Sequence, residues 1–280
     1  MPSLNFPQHQ FMGSDAKFTA FVAGMGSGKT WVGANKILKH HLEFPRVDSA
    51  YYAPTHKLVK DVFWPTLDEV GHTLGVRVKF KSADKEAHVY RGRYFYGALI
   101  CRTLDKPENI VGFKSGYALM DELDILPTKK AYTCWRKVIG RMRYKVDGLR
   151  NSVDVTTTPE GYKFLYEKFV LEPQQKPSMA KSYRIIHAST YDNEANLPAD
   201  YIDTMLADYP SAYINAYLNG QFVNLTSGTV YHEYDRELCR SKEVASISEP
   251  IYVGMDFNVG NMACAIFVKR ENGYHCVGEI

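Results

Sequence analysis

Hydrophobic and polar positions alternate along this chain with two periods. Short apolar runs closed by breakers predict buried strands at Phe18 to Ala23, Ser49 to Ala53, Tyr94 to Cys101, Tyr117 to Asp121, Ser152 to Thr156 and Tyr183 to Ala188. Between or after them, apolar positions at helical spacing predict helices at about 29–43, 56–73, 128–143, 161–171 and 198–218. Strands and helices in this order predict an α/β fold, a mostly parallel sheet with helices on both faces. Within 84–101, "EAHVYRGRYFYGALI" reads instead as a hairpin turning at Arg91-Gly92-Arg93, an antiparallel addition to that sheet.

After "LNGQFVN" the pattern changes. Thr226 to Pro250 is polar and rich in serine and charge, as a linker or extended arm would be. Three strand signals follow at Ile251 to Phe257, Met262 to Lys269 and Tyr274 to Ile280, joined by short turns. The expected division is therefore 1–225, a linker at 226–250, and 251–280 as the opening meander of a second domain. Because such a meander is not a domain by itself, the sequence reads as the front part of a longer protein.

Composition narrows this little. The 280 residues are 45% hydrophobic and 23% charged, with a net charge of +3, so binding to nucleic acid would rest on local patches. The five cysteines show no C-x-x-C spacing, which suits free thiols in a reducing cytosol. No basic-then-apolar leader and no membrane-length apolar run is visible, so a soluble cytoplasmic protein with no membrane partner is expected.

The candidate chemistry begins in "FTAFVAGMGSGKTWVGA". A strand, a glycine-rich turn and a helix start are what a phosphate needs: inward N–H groups, the positive end of a helix and one lysine. Ala23, Gly24, Met25, Gly26, Ser27 and Gly28 would form the loop, Lys29 would meet the β/γ-phosphates of ATP, and Thr30 would ligate Mg²⁺. Ala23 stands where the usual pattern has its first glycine. "GYALMDELD" then supplies a strand ending in Asp121, which would hold the metal through its water shell, and Glu122, which would deprotonate the attacking water. Hydroxyls at the end of "SVDVTTTPEG", Thr156, Thr157 and Thr158, sit where open α/β sheets bind ligands and would sense the γ-phosphate. They also suit a strand for β-propensity alone. Gln8 or Gln10 in "NFPQHQF" would read an adenine edge, or belong to an exposed arm.

In this order, "AGMGSGKT", "YYAPT", "LMDELD", "TTTPEG", "AYLNGQFV" and "YVGMDFNVG" resemble the large terminase subunits of tailed bacteriophages over nearly the whole chain. The resemblance implies a RecA-like ATPase domain followed by a ribonuclease H-like, Mg²⁺- or Mn²⁺-dependent nuclease. Asp256 would be its first metal ligand; by strand position alone, Glu279 could converge on it or be a solvated strand end. It implies double-stranded DNA, a portal protein and a small terminase subunit as partners. A homo-oligomeric ring on the portal, in the host cytoplasm, also follows, with Thr156 to Thr158 as the coupling motif. Two departures matter: Met25 and Val111 stand where many terminases carry arginine. Arg141 and Arg143 are therefore the arginine-finger candidates, with Arg91, Arg93 and Arg102 behind them. A helicase-type nucleic-acid-dependent ATPase shares the motifs up to the threonines, and a nucleotide-dependent docking module would share the nucleotide site.

Overall fold

Five strands of the computed structural model begin and end close to where the apolar runs do: β1 (Phe18–Ala23), β2 (Ser49–Ala53), β6 (Tyr117–Asp121), β7 (Ser152–Thr157) and β8 (Tyr183–Ala188). The structure describes residues 4–225, 242–257, 263–271 and 273–279. The chain folds as two compact units, Met1–Thr226 and Ser227–Ile280. In the first unit, β3 (Arg77–Lys81), β4 (Glu86–Arg91) and β5 (Tyr94–Thr103) complete an eight-stranded sheet of order β3-β4-β5-β2-β6-β7-β1-β8. Every pairing from β5 to β8 is parallel, and β3 and β4 are antiparallel additions at one edge. The predicted hairpin at Arg91-Gly92-Arg93 is present; β3 is a strand that the sequence reading omitted.

Side-chain alternation sorts the sheet into two faces. Phe21, Tyr51, Ala53, Tyr117 and Leu119 face one apolar cluster, built with α1 (Phe6–Met12), α2 (Lys29–Glu43) and α4 (Trp64–Thr73). The short α3 (His56–Leu58) and a π-helical turn, Val59–Phe63, lead into α4. Phe18, Ala20, Val22, Ala50, Met120, Val153 and Val155 face the other cluster, with α5 (Thr128–Ile139) and Phe164, Leu165 and Phe169. Asp121, Asp154 and Thr156 therefore point toward α2. Asp154 meets Lys36 of α2 at 2.6 Å and accepts from the Tyr117 hydroxyl at 2.8 Å, so this buried charge is both paired and hydrogen-bonded.

Several bounds differ from the expected ones. The helix expected at 128–143 stops at Ile139, where Gly140 caps it. That expected at 161–171 is mostly a π-helical turn, Tyr166–Leu171, running into α6 (Glu172–Gln175) and followed by α7 (Pro177–Ala180). The helix expected at 198–218 is two, α8 (Tyr201–Asp208) and α9 (Ser211–Tyr217), because Pro210 keeps Tyr209 extended. In the second unit, β9 (Ile251–Asp256), β10 (Ala263–Arg270) and β11 (Gly273–Glu279) form an antiparallel sheet of order β11-β10-β9. Of the expected linker, residues 226–241 lie outside the described residues, as do Met262 and Ile280 at the ends of expected strands.

Candidate functional site

Gly24 to Gly28 turn β1 into α2 in the space of five residues. Gly28 is the N-cap of α2 at φ 79°, a left-handed conformation that suits glycine, and a Cβ there would come within 2.5 Å of Gln8 Nε2. Gly24 is required for closeness instead, since its Cβ would meet Leu218 O at 2.5 Å and Thr190 Oγ1 at 2.6 Å. Lys29 is 8% exposed and donates to Ala23 O at 3.3 Å and Gly24 O at 3.0 Å, folded back over its own loop. The Ser27 hydroxyl donates to Gly24 O at 2.7 Å.

Asp121, Glu122 and the threonines form one hydrogen-bonded group. The register of β6 on β7 places Asp121 opposite Thr156. Thr156 Oγ1 donates to Asp121 Oδ1 at 2.6 Å, and Tyr51 OH donates to Asp121 Oδ2 at 2.7 Å. Tyr51 is itself held by Phe63, with the rings stacked at 3.5 Å. Burial, and then the charge of Glu122, push the Asp121 carboxyl up to about 6, against the two hydroxyl bonds and Lys29. Glu122 stands in the left-handed region at φ 50°, uncommon for a residue with a long side chain. That backbone turns its carboxylate inward: Oε2 accepts from Thr158 N at 3.0 Å and Thr157 Oγ1 at 3.3 Å, while Oε1 lies 3.8 Å from Lys29 Nζ.

A cleft of about 580 Å³ opens beside these groups, lined by Met25, Gly26, Lys29, Thr30, Glu122 and Thr158 among others. The volume is that of a small-molecule site. Thr30 and Asp121 offer oxygen donors only, the donor chemistry a hard ion such as Mg²⁺ prefers.

Gln8 and Gln10 fare differently. The buried Gln8 donates to Ser27 O at 3.1 Å and accepts from Asn5 N at 3.2 Å, completing a capping box on α1, so both ends of its carboxamide are held by main chain. Gln10 is half-buried. Among the described residues, no arginine lines the cleft. Arg141 O accepts from Ser115 N at 3.0 Å and Arg143 donates to Phe113 O at 3.3 Å. These bonds tie both residues to the segment that leads into β6, and neither is among the described residues that line the cleft. Asp256 ends β9 in the second unit, and Glu279 ends β11.

Residues that sequence reasoning passed over hold the loop from behind. Thr190 Oγ1 donates to Met25 O at 2.6 Å and Asn193 Nδ2 to Gly26 O at 2.7 Å, while Met25 N donates to Tyr217 O at 2.6 Å. Asp124, three residues past Asp121, is wholly buried; its Oδ1 accepts from Leu165 N at 3.0 Å and its Oδ2 has no partner among the described residues.

A phosphate loop at the end of β1, an Asp-Glu pair on β6 and a threonine-ended β7 between those two strands define a P-loop α/β protein. The family described as "Terminase large subunit, T4likevirus-type, N-terminal" matches residues 20–237, and the chain belongs to it. Among solved structures, the large terminase of a thermophilic bacteriophage is similar over 100% of this chain and 68% of its own, at 16% identity and a TM-score of 0.66. The same protein in complex with ADP is similar over 99% of this chain and 68% of its own, with 16% identity and a TM-score of 0.66. The ATPase domain of the large terminase of Thermus phage P74-26 covers 80% of this chain and 94% of its own, at 16% identity and a TM-score of 0.56. Identities this low speak for a shared fold alone. No curated protein matches the sequence.

Proposed function

We propose that this chain is the ATP-hydrolysing part of a DNA-packaging motor, turning MgATP over in the cleft and moving double-stranded DNA into a viral procapsid. The observation that carries the reading is the position of Glu122, held by Thr157 and Thr158 on one side and 3.8 Å from the P-loop lysine on the other. Lys29 would exchange its loop carbonyls and Glu122 for the β/γ-phosphates. Released from the lysine, Glu122 is the group placed to take a proton from the attacking water. Thr30 and Asp121 would hold Mg²⁺, which supplies charge neutralisation at the phosphates. Departure of the γ-phosphate would be felt by Glu122 and passed to β7 through its bonds to Thr157 and Thr158. The ADP complex of the thermophilic phage's terminase supports nucleotide as the ligand.

The fuller reading includes a ring of copies on a portal, a small terminase subunit and action in the host cytoplasm. In such a ring the guanidinium that offsets γ-phosphate charge comes from a neighbouring copy, with Arg141 and Arg143 as candidates because neither is among the described residues that line the cleft. Family membership favours this motor over the helicase-type alternative. We also assign Asp256 to a nuclease metal site. No cluster of three or more His, Cys, Asp or Glu side chains is found among the described residues, so they do not by themselves build a two-metal site.

Calorimetry with ATP and Mg²⁺ tests the nucleotide site. Binding should be lost in Lys29→Ala; wild-type affinity in that variant would mean that the P-loop does not hold the phosphates.

A further inference from the structure

We propose that the uncovered face of β3, β4 and β5 is where this chain meets the sugar-phosphate backbone of duplex DNA; this rests on the packaging reading and adds the surface that reading lacks. The register Arg77↔Tyr90, Lys79↔His88, Lys81↔Glu86 fixes which side chains share a face. Val78, Phe80, Ala87, Val89 and Leu99 belong to the cluster beneath α4, and Trp64 of α4 packs on Phe80 with ring centroids 5.0 Å apart. Arg77, Lys79, Lys81, His88 and Tyr90 point the opposite way.

The segment that carries that face is basic out of proportion to its length. Residues 77–95 carry six Lys or Arg and two Asp or Glu, a net +4 against +3 for the whole chain, so the remainder is slightly acidic. Among the described residues, none of the six basic side chains takes part in an ion pair, whereas Lys36, Lys39 and Lys168 elsewhere do. The acidic Glu86 is turned to His88 at 3.3 Å. Two arginines lie by aromatic rings: Arg77 over Tyr90 at 4.9 Å, an arrangement that orders a guanidinium and leaves its N–H edges for another acceptor, and Arg93 over Tyr94 at 5.3 Å, where Nη2 also donates to the Tyr94 hydroxyl at 3.2 Å.

Lysines on an edge strand also guard against sheet-to-sheet aggregation. That role accounts for charges on β3, but not for Arg91 and Arg93 at the hairpin turn or for Tyr90, Tyr94 and Phe95, the aromatic residues that flank them.

The test is fluorescence anisotropy of a labelled blunt duplex with the full chain, titrated at several salt concentrations. Wild type should bind with a steep salt dependence. Arg77→Ala/Lys79→Ala/Lys81→Ala should bind more weakly, with the slope of log affinity against log salt shallower by about 3, one for each lost phosphate contact. A charge-matched variant on other surfaces, Lys129→Ala/Lys137→Ala/Lys145→Ala, should keep the wild-type slope, and ATP binding by calorimetry should be the same in all three proteins. Wild-type affinity and slope in the β3 variant, or equal loss in the control variant, would overturn the assignment of this face. Failure of the wild type itself to bind duplex would overturn the packaging reading, and this inference with it.

Discussion

Thr158 donates its backbone N–H to Glu122 Oε2 at 3.0 Å, so the carboxylate we propose to activate water is held by main chain rather than by the Thr158 hydroxyl. The neighbouring Thr157 acts through its side chain, at 3.3 Å from the same oxygen. The two threonines should therefore respond differently to substitution. Thr158→Val keeps the amide and should leave kcat for ATP close to wild type. Thr157→Val removes a bond to a charged group and should lower kcat by roughly tenfold, the equivalent of about 1.4 kcal/mol of lost positioning. Steady-state hydrolysis measures both; a larger loss from Thr158→Val would mean that its hydroxyl acts in another state of the protein.

Thr190 and Asn193 grip the carbonyls of Met25 and Gly26, and so shape the loop without lining the cleft. Asn193→Ala should loosen the loop before nucleotide binds and tighten again once phosphates occupy it. Such a change raises KM for ATP while kcat stays near wild type. A drop in kcat at unchanged KM would instead place Asn193 in the chemical step.

Asp124 offers a test by pH. Burial, the largest cause, pushes its carboxyl up to about 7 from an ordinary value near 4, although Leu165 N–H and Lys163 act the other way. Between about pH 4 and 7 the folded state keeps a proton that the unfolded state has released, so wild-type stability falls as pH rises through that window. Asp124→Asn is neutral throughout and lacks this loss. Denaturant melts should show the variant gaining on wild type by up to about 1.4 kcal/mol per pH unit across that window. A gap independent of pH would mean that Asp124 is already ionised in the folded protein.

The frame of the fold is legible in the sequence because buried parallel strands are continuous apolar runs and the P-loop is a local motif. What holds the site together is not. Thr156 meets Asp121 only because β7 lies beside β6, a neighbour relation that neither segment encodes alone. Thr190 reaches Met25 across 165 residues. The strand β3, "RVKFK", has only two apolar side chains, so it reads as solvated unless its alternation is given weight. Helix α1 had a readable start signal in Asn5-x-x-Gln8, a capping box, masked by its short length of 7 residues. The break at Pro210 was also signalled, by a proline inside the helical pattern.

The central claim is that Glu122 activates water for ATP hydrolysis that DNA governs. Its most direct test is phosphate release from ATP, with and without linear duplex DNA, by wild type and Glu122→Gln, with ATP binding followed by calorimetry in the same preparations. The wild type should show DNA-stimulated turnover, and Glu122→Gln should retain ATP binding with hydrolysis lower by about 10²- to 10⁴-fold. Turnover in Glu122→Gln equal to wild type would contradict the claim.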